Sequence, residues 1–298
     1  MTETAAPPRL STDILISGGG VAGLTAAAAF GAAGFTTICV DPEPQVTAET
    51  DAGADMRTTA FLHPSRAVLD RAGLWARLAP HAAPLQVMRI IDAGGARPEA
   101  RIVRDFDAAD LSDEPFGWNF PNWLLRREMV ARLAEIPLVD FRPGVATVGL
   151  LSRESGAEVR LSDGTLVTAK LVIGADGRNS FVREAAGIGT KTTHYGQKAL
   201  VCAVTHPSPH GNVSTEVHRS GGPFTLVPLP DRDGKPSSAI VWMERGPEVE
   251  RLAALPVAEF EAAMTERSTG VLWPLTLVTR RALWPMITQI ACRFSAER

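Results

Sequence analysis

The chain alternates short apolar runs with periodic stretches. The four residues before Gly18, Ile14 to Ser17, predict a short buried strand, and Leu24 to Phe30 continue as an alanine-rich helix able to pack closely on a sheet. Gly31 and Gly34 stop that helix, and the β-branched run Phe35-Thr-Thr-Ile-Cys-Val40 predicts a second strand ending on Asp41. Val68, Leu69, Leu74 and Trp75 alternate with Arg66, Asp70, Arg71 and Arg77, which predicts a helix over Pro64 to Leu78 interrupted near Gly73. Leu85 to Phe106 reads as a strand pair turned at Ala93-Gly94-Gly95. A second long helix is expected from Asn122, a residue suited to an N-cap, with Leu125, Met129 and Leu133 on one face and Pro137 beyond its end.

Val145 to Ile173 predicts a three-stranded antiparallel meander with a hairpin at Ser162-Asp-Gly-Thr165. Beyond Tyr195 the pattern is β-rich, with strands expected at Ala199–Val204, Ser214–Val217, Phe224–Val227 and Ala239–Met243 and one helix over Val257–Glu266. The fold class implied is mixed α/β (α+β): a Rossmann-like nucleotide domain carrying the meander, plus a mostly antiparallel β-sheet domain.

Composition narrows the class without changing it. The chain has 298 residues, 45% hydrophobic, with a net charge of −3, which suits a globular protein and offers no basic excess for nucleic acid. Residues 1–10 lack a basic-then-apolar signal pattern, and the weakly polar stretch from Gly23 to Phe35 is too short to span a bilayer. Cys39, Cys202 and Cys292 are far apart and lack metal-ligand spacing, which fits a reducing, cytoplasmic setting.

The chemistry begins at Gly18, Gly20 and Gly23. Gly18 permits a tight turn, Gly20 lets backbone approach a pyrophosphate, and Gly23 lets helix and strand touch. Backbone N–H groups through Val21 and Ala22, at the positive end of the helix dipole, would face the phosphates. Asp41 falls 18 residues past Gly23, where a carboxylate meets ribose hydroxyls and repels a 2′-phosphate. Other chemistries lack support. His206 and His210 are separated by Pro207 and Pro209, which prevent the helix that would align them on a metal, so no metal site is expected. There is no Gly-x-Ser-x-Gly elbow. Tyr195 has its lysine at Lys198 instead of four residues on, and Gly187-Ile-Gly189 is not followed by a third glycine at Thr192.

These residues, with two later motifs, carry a resemblance. Asp55-Met-Arg-Thr-Thr-Ala-Phe-Leu-His-Pro-Ser65 with Gly73-Leu-Trp75, and Gly174-Ala-Asp-Gly-Arg-Asn-Ser180 with Val182-Arg183, join the glycine loop. Together they resemble the single-dinucleotide-fold FAD-dependent aromatic hydroxylases, in the branch that acts on ubiquinone precursors. Tyr195-Gly-Gln-Lys-Ala199, Gly222-Pro-Phe-Thr-Leu-Val-Pro-Leu229 and Trp284-Pro-Met286 extend the resemblance over nearly the whole chain. It implies FAD as cofactor, with Arg57 beside the ribityl and phosphate region, Arg126 reaching the ribityl chain, and Asp176 with Gly177 near the pyrophosphate. It also implies NAD(P)H as co-substrate and hydroxylation of a phenolic, lipid-tailed aromatic with O2, in the cytoplasm or peripherally at the inner membrane face. Residues 1–84 and 106–190 would form the FAD-binding domain, and 85–105 and 191–298 the substrate domain. Phe224, Leu226, Pro228 and Trp242 are candidates to line the substrate pocket.

The family carries a later Gly-Asp motif that starts just after a segment resembling Cys292-Arg-Phe-Ser-Ala-Glu-Arg298, and no Gly-Asp dipeptide occurs in this sequence. The expectation is therefore a C-terminally truncated, impaired form with FAD absent or weakly bound. A hydroxylase of another aromatic, a polyprenyl reductase, and a non-catalytic nucleotide-binding module remain as alternatives.

Overall fold

A computed structural model describes residues 8–44, 46, 48–95, 97, 99–219 and 221–297. Strand β1 (Arg9–Ser17) leads through the glycine loop into helix α1 (Val21–Ala32), followed by strand β2 (Thr37–Asp41). The first sheet runs in the order Val139–Pro143, β2, β1, Leu166–Gly174, Gly156–Leu161, Thr147–Arg153. Its first four strands are parallel and its last three form the antiparallel meander. Central parallel strands are covered on both faces, so Ile14, Leu15 and Ile16 are all buried. The Val139–Pro143 strand was not expected: it is short, ends on proline, and carries Asp140 and Arg142, all marks of an edge position that weaken the β pattern.

The direction of the parallel strands' succession reverses at β1. From β1 the chain adds β2 and then Val139–Pro143 on one side, whereas Leu166–Gly174 pairs with the other. A crevice therefore opens between the carboxyl ends of β1 and Leu166–Gly174, where nucleotides bind in such folds. Helix α1 packs on the Asn122–Leu133 helix, whose Leu125, Met129 and Leu133 are buried as their spacing predicts. Asn122 itself is the first helical residue and not the cap; Pro121 precedes the helix, and the Asn122 side chain is spent on Thr59 and Asp55.

The second sheet is eight-stranded. Along it lie Thr276–Leu277, Thr190–Thr205, Lys235–Arg245, Pro223–Arg232, Val213–His218, Val87–Asp92 and Ile102–Asp107, with Ala282–Ala291 also pairing the Thr190–Thr205 strand. The expected strands there are all present but longer, and Val213–His218 pairs in parallel with Val87–Asp92, joining the early hairpin to the late strands. Two helices, Gly246–Ala254 and Val257–Arg267, cover one face. The first of these was missed, although Pro247 in its first turn, Glu248, and the Val249/Leu252 spacing are helix-start signals. A small sheet of Thr58–Leu62, Gly117–Pro121 and Ala83–Leu85 reaches the second sheet where Asn119 Nδ2 donates to the Pro228 carbonyl at 3.0 Å.

Candidate cofactor and substrate site

The glycine loop is packed to the limit of backbone contact. Gly18 has φ +112°, and a Cβ there would lie 2.2 Å from the Ala175 carbonyl oxygen. A Cβ on Gly23 would lie 1.8 Å from the Gly18 oxygen, and one on Gly19 2.8 Å from the Asp41 Cβ. Gly20 differs: the space beside it is open. Three glycines thus close the loop onto its own fold, while the fourth leaves its backbone bare at the helix end. No side chain caps α1 and no acidic residue occupies its first turn, so the N–H groups there, which have no partner within the helix, form a cradle for an anion.

The acidic residues expected nearby lie beside that cradle. Asp41 is buried; its Oδ2 accepts from the Gly19 N–H at 2.5 Å and its Oδ1 from the Glu43 N–H at 2.9 Å. Arg126 approaches Asp41 to 4.0 Å, which sets it beside the end of β2. Asp176 follows the Leu166–Gly174 strand across the crevice, and its amide nitrogen would be 2.7 Å from a Gly18 Cβ. Its Oδ2 accepts from the Val182 N–H at 3.1 Å, whereas its Oδ1 is buried with no partner. An orphaned buried carboxylate oxygen costs about 1–3 kcal/mol, a cost that a donor hydroxyl of a bound nucleotide would remove. The residues present therefore fit a dinucleotide such as FAD. Gly177, with φ +82°, turns the chain here next to open space.

Arg57 lies on the other side, at the rim of a groove between the Met56–Thr58 segment and the second sheet. Its guanidinium stacks 3.9 Å from the centroid of the Trp284 ring and bonds Asp55 through Nε and Nη2. Burial alone would raise the Asp55 carboxyl, but the hydrogen bonds from Arg57 and Asn122 hold it below its ordinary value. The groove, of about 250 Å³, is lined by Ala199, Val201, Val241, Met243, Trp284 and Met286, with Arg178 beside Arg57. A second hollow of about 420 Å³ shares Met56, Thr58 and Ala239 with it and continues past Ala203 and Leu229 to the Glu49–Arg232 ion pair. A third, of about 430 Å³, lies behind the Asp176 turn against residues 291–297.

The four expected pocket residues do not line this groove. Phe224, Leu226 and Trp242 are buried in the core against Val249, Leu252, Phe260 and Met264. Phe224 and Trp242 meet edge to face at 5.2 Å. Pro228 is buried as well and contributes its carbonyl to Asn119. The cause is strand alternation: successive residues point to opposite faces. Helices from Gly246 to Arg267 cover the Phe224 face, leaving Val201, Val241 and Met243 to the groove. Their neighbours along the strands, Leu200, Ile240 and Trp242, go to the core. Asp55, Asn122 and Trp284 enter the sequence reading only as motif members or as a helix cap, with no role at the site. The Asp-x-Arg spacing and the alternating burial of Ala282–Ala291 are the signals that could have found them.

His206 and His210 line none of these hollows. His206 Nδ1 faces the Ser208 carbonyl at 2.7 Å and Nε2 the Ser238 hydroxyl at 2.9 Å; burial pushes its pKa down. Among the described residues no group of three or more His, Cys, Asp or Glu could hold a metal ion, and no helix is long and apolar enough to cross a membrane.

The chain is similar to known proteins. The chain is 34% identical over 286 residues to the ubiquinone hydroxylase UbiL of Rhodospirillum rubrum, covering 96% of this chain and 64% of that protein. It is 27% identical over 256 residues to the 3-demethoxyubiquinol 3-hydroxylase of Escherichia coli, covering 86% of this chain and 63% of that one. It therefore spans somewhat under two thirds of the length of these curated relatives. Among solved structures, the flavin-dependent monooxygenase PieE in complex with FAD and substrate superposes with a TM-score of 0.75 at 22% identity, over 98% of this chain and 52% of that one. PqsL from Pseudomonas aeruginosa gives 0.75 at 20% identity, over 93% and 73%. These likenesses establish a shared Rossmann-like fold. The family described as FAD binding domain matches residues 11–298, from β1 through the glycine loop, the Asp176 turn and the second sheet, and the chain belongs to that FAD-binding-domain family.

Proposed function

We propose that the chain supplies the nucleotide and substrate sites of an FAD-dependent monooxygenase that uses NAD(P)H and O2 to hydroxylate an aromatic ring, with a polyprenylated phenol of the ubiquinone-precursor class as substrate. The observation that carries this is the groove. An apolar sheet face opens directly onto the Arg57 rim of the nucleotide half, so an aromatic ring can lie against a cofactor whose phosphates sit on α1. The named activities of the curated relatives point the same way.

In this reading FAD, when bound, supplies O2 activation and transfer of one oxygen atom to the ring. The chain's own residues do the rest. The α1 amino end and the bare backbone at Gly20 bind the pyrophosphate, Asp41 orients a ribose, and the unpartnered Asp176 Oδ1 accepts from a cofactor hydroxyl. Val201, Val241, Met243 and Met286 exclude water around the ring, and the continuing hollow past Ala203 and Leu229 gives the prenyl tail an apolar path. Among the described residues no second dinucleotide fold accompanies the first sheet, and in this reading the nicotinamide donor visits the groove without one. The reading includes cytoplasmic location with peripheral contact to a membrane, because a lipid-tailed substrate partitions into the bilayer; flotation with liposomes tests that part.

The deciding experiment is turnover under ¹⁸O2 with FAD, NADH or NADPH and short-chain prenyl phenols. One labelled oxygen in the product, with substrate-stimulated NAD(P)H oxidation, supports the reading. FAD binding without phenol-stimulated oxidation overturns it in favour of a non-catalytic nucleotide module, and reduction of the prenyl chain without label in favour of a reductase.

A further inference from the structure

We infer that Asp55 is a positioning residue for Arg57: it and Trp284 bracket the guanidinium so that one edge is held ready for an anion at the junction of the nucleotide site and the groove. This rests on the reading of Arg57 as a cofactor contact, and it assigns a role to two residues outside that reading.

The argument follows the guanidinium's own geometry. A planar guanidinium offers a side-on edge, Nε with Nη2, and an end-on edge, Nη1 with Nη2. Asp55 takes the side-on edge, with Oδ1 accepting from Nε at 2.9 Å and Oδ2 from Nη2 at 2.6 Å. Asp55 Oδ1 also accepts from the Arg57 backbone N–H at 3.0 Å, closing the two-residue turn that the Asp-x-Arg spacing makes. The carboxylate is itself fixed. Asn122 Nδ2 donates to its Oδ2 at 2.9 Å, the Asn122 Oδ1 accepts from the Thr59 hydroxyl at 2.7 Å, and the Asn122 N–H bonds the Arg57 carbonyl at 2.9 Å. The first residue of the Asn122–Leu133 helix therefore pins both the acid and the strand that presents the arginine.

Trp284 fixes the remaining freedom. Its ring lies 3.9 Å from the Arg57 guanidinium carbon and belongs to the Ala282–Ala291 strand of the second sheet, so the plane of the fork is set from the substrate side. Among the described residues Nη1 bonds nothing, and the Arg57 side chain keeps 46% exposure while Asp55 keeps 17%. The buried partner is the one that holds, and the exposed edge is the one left free. An oxyanion carried by FAD meets a fork already oriented, with no rotamer entropy left to lose on binding.

The test is a double-mutant cycle read by FAD affinity, from flavin fluorescence quenching, with thermal melting alongside. Arg57→Ala should weaken FAD binding about thirtyfold and Asp55→Ala about tenfold, in line with charge-assisted hydrogen bonds. In the Arg57→Ala background, Asp55→Ala should change affinity less than about twofold, because it then has nothing left to position. Asp55→Asn, which keeps an acceptor for Nε, should fall between wild type and Asp55→Ala, and Trp284→Leu should weaken binding only when Arg57 is present. Additive losses in the cycle, or an Asp55→Ala that melts early while binding FAD normally, overturn the positioning role. Unchanged affinity in Arg57→Ala overturns the cofactor reading of Arg57 together with it. A second readout needs no cofactor: the Arg57 Nε–H resonance should be protected from exchange in wild type and lost in Asp55→Ala, and protection in both would also overturn the assignment.

Discussion

The glycine loop and the second sheet each carry part of the candidate site, the loop through bare backbone at the start of α1 and the sheet through side chains lining the Arg57 groove, but they reach that arrangement by different routes. In the loop, the contact that closes the turn is short in sequence: Gly23 packs on Gly18, the Ala175 turn from the neighbouring strand lies against Gly18, and neither glycine has room for a side chain. In the sheet, neighbouring residues separate to opposite faces, and what each face does depends on helices that follow later in the chain. The loop's role is local and the sheet's is relational. Changing a loop residue should therefore damage fold and cofactor binding together, whereas in the sheet the two effects should divide by face.

The sharpest way to break this contrast is Phe224→Ala. On the helix-covered face it should cost about 3–5 kcal/mol in urea denaturation, as large-to-small aromatic core changes do. A loss of less than about 1 kcal/mol would mean that the face is not the core. On the same face Arg267 lies buried 3.8 Å from Glu244 while donating to the Val217 carbonyl at 3.1 Å. Burial pushes the Glu244 carboxyl above its ordinary 4.5 and the Arg267 guanidinium down. Arg267→Met strands that carboxylate and should cost about 3 kcal/mol near neutral pH. The sign with pH follows from linkage. A carboxyl whose pKa is raised on folding adds stability below its unfolded value of 4.5 and loses it as pH climbs through the raised one, so the variant's deficit should shrink on acidification toward 4.5.

The loop gives the next effect. Glycine to alanine within a helix ordinarily stabilises by about 1 kcal/mol. Gly23→Ala should instead destabilise by about 2–3 kcal/mol, because the new methyl meets the Gly18 oxygen. A melting temperature at or above wild type would show that the loop has slack. The smallest stability change belongs to the groove face. Val241→Ala, in register with Thr225 and Val201 on that face, should cost at most about 1.5 kcal/mol while raising KM for the prenyl phenol severalfold with little change in kcat. A stability loss as large as that of Phe224→Ala would erase the distinction between the two faces.

Much of the fold was legible in the chain because its signals are local. The order of strand, glycine loop, helix and strand through Asp41, the Gly73 break with φ +68° between His63–Arg71 and Trp75–Leu78, and the meander with its Gly164 turn all follow from residues within one element. Among the elements that the sequence reading lacks are the short strands of the small sheet, Thr58–Leu62, Gly117–Pro121 and Ala83–Leu85, and elements whose pattern is diluted at an edge or by proline: Val139–Pro143, Gly246–Ala254 and Ala282–Ala291. For the site, Gly18, Gly20, Gly23 and Asp41 were readable as chemistry at defined spacing and Asp176 only through the family resemblance, and the structure draws the loop and the two acids around one crevice. Asp55 and Trp284 lie more than two hundred residues apart and meet only through Arg57.

By itself the sequence determined the nucleotide half. A glycine triplet at dinucleotide spacing, an alanine-rich helix after it and a carboxylate at the end of the next strand leave little freedom, since these constraints all act within one strand–loop–helix–strand segment. Only the tertiary structure decided the substrate half. An alternating strand offers two chemically similar faces, and nothing within Pro223–Arg232 or Lys235–Arg245 says which will be covered. That choice belongs to the Gly246–Ala254 and Val257–Arg267 helices, which take Phe224 and Trp242 into the core and leave Val201, Val241 and Met243 facing Arg57.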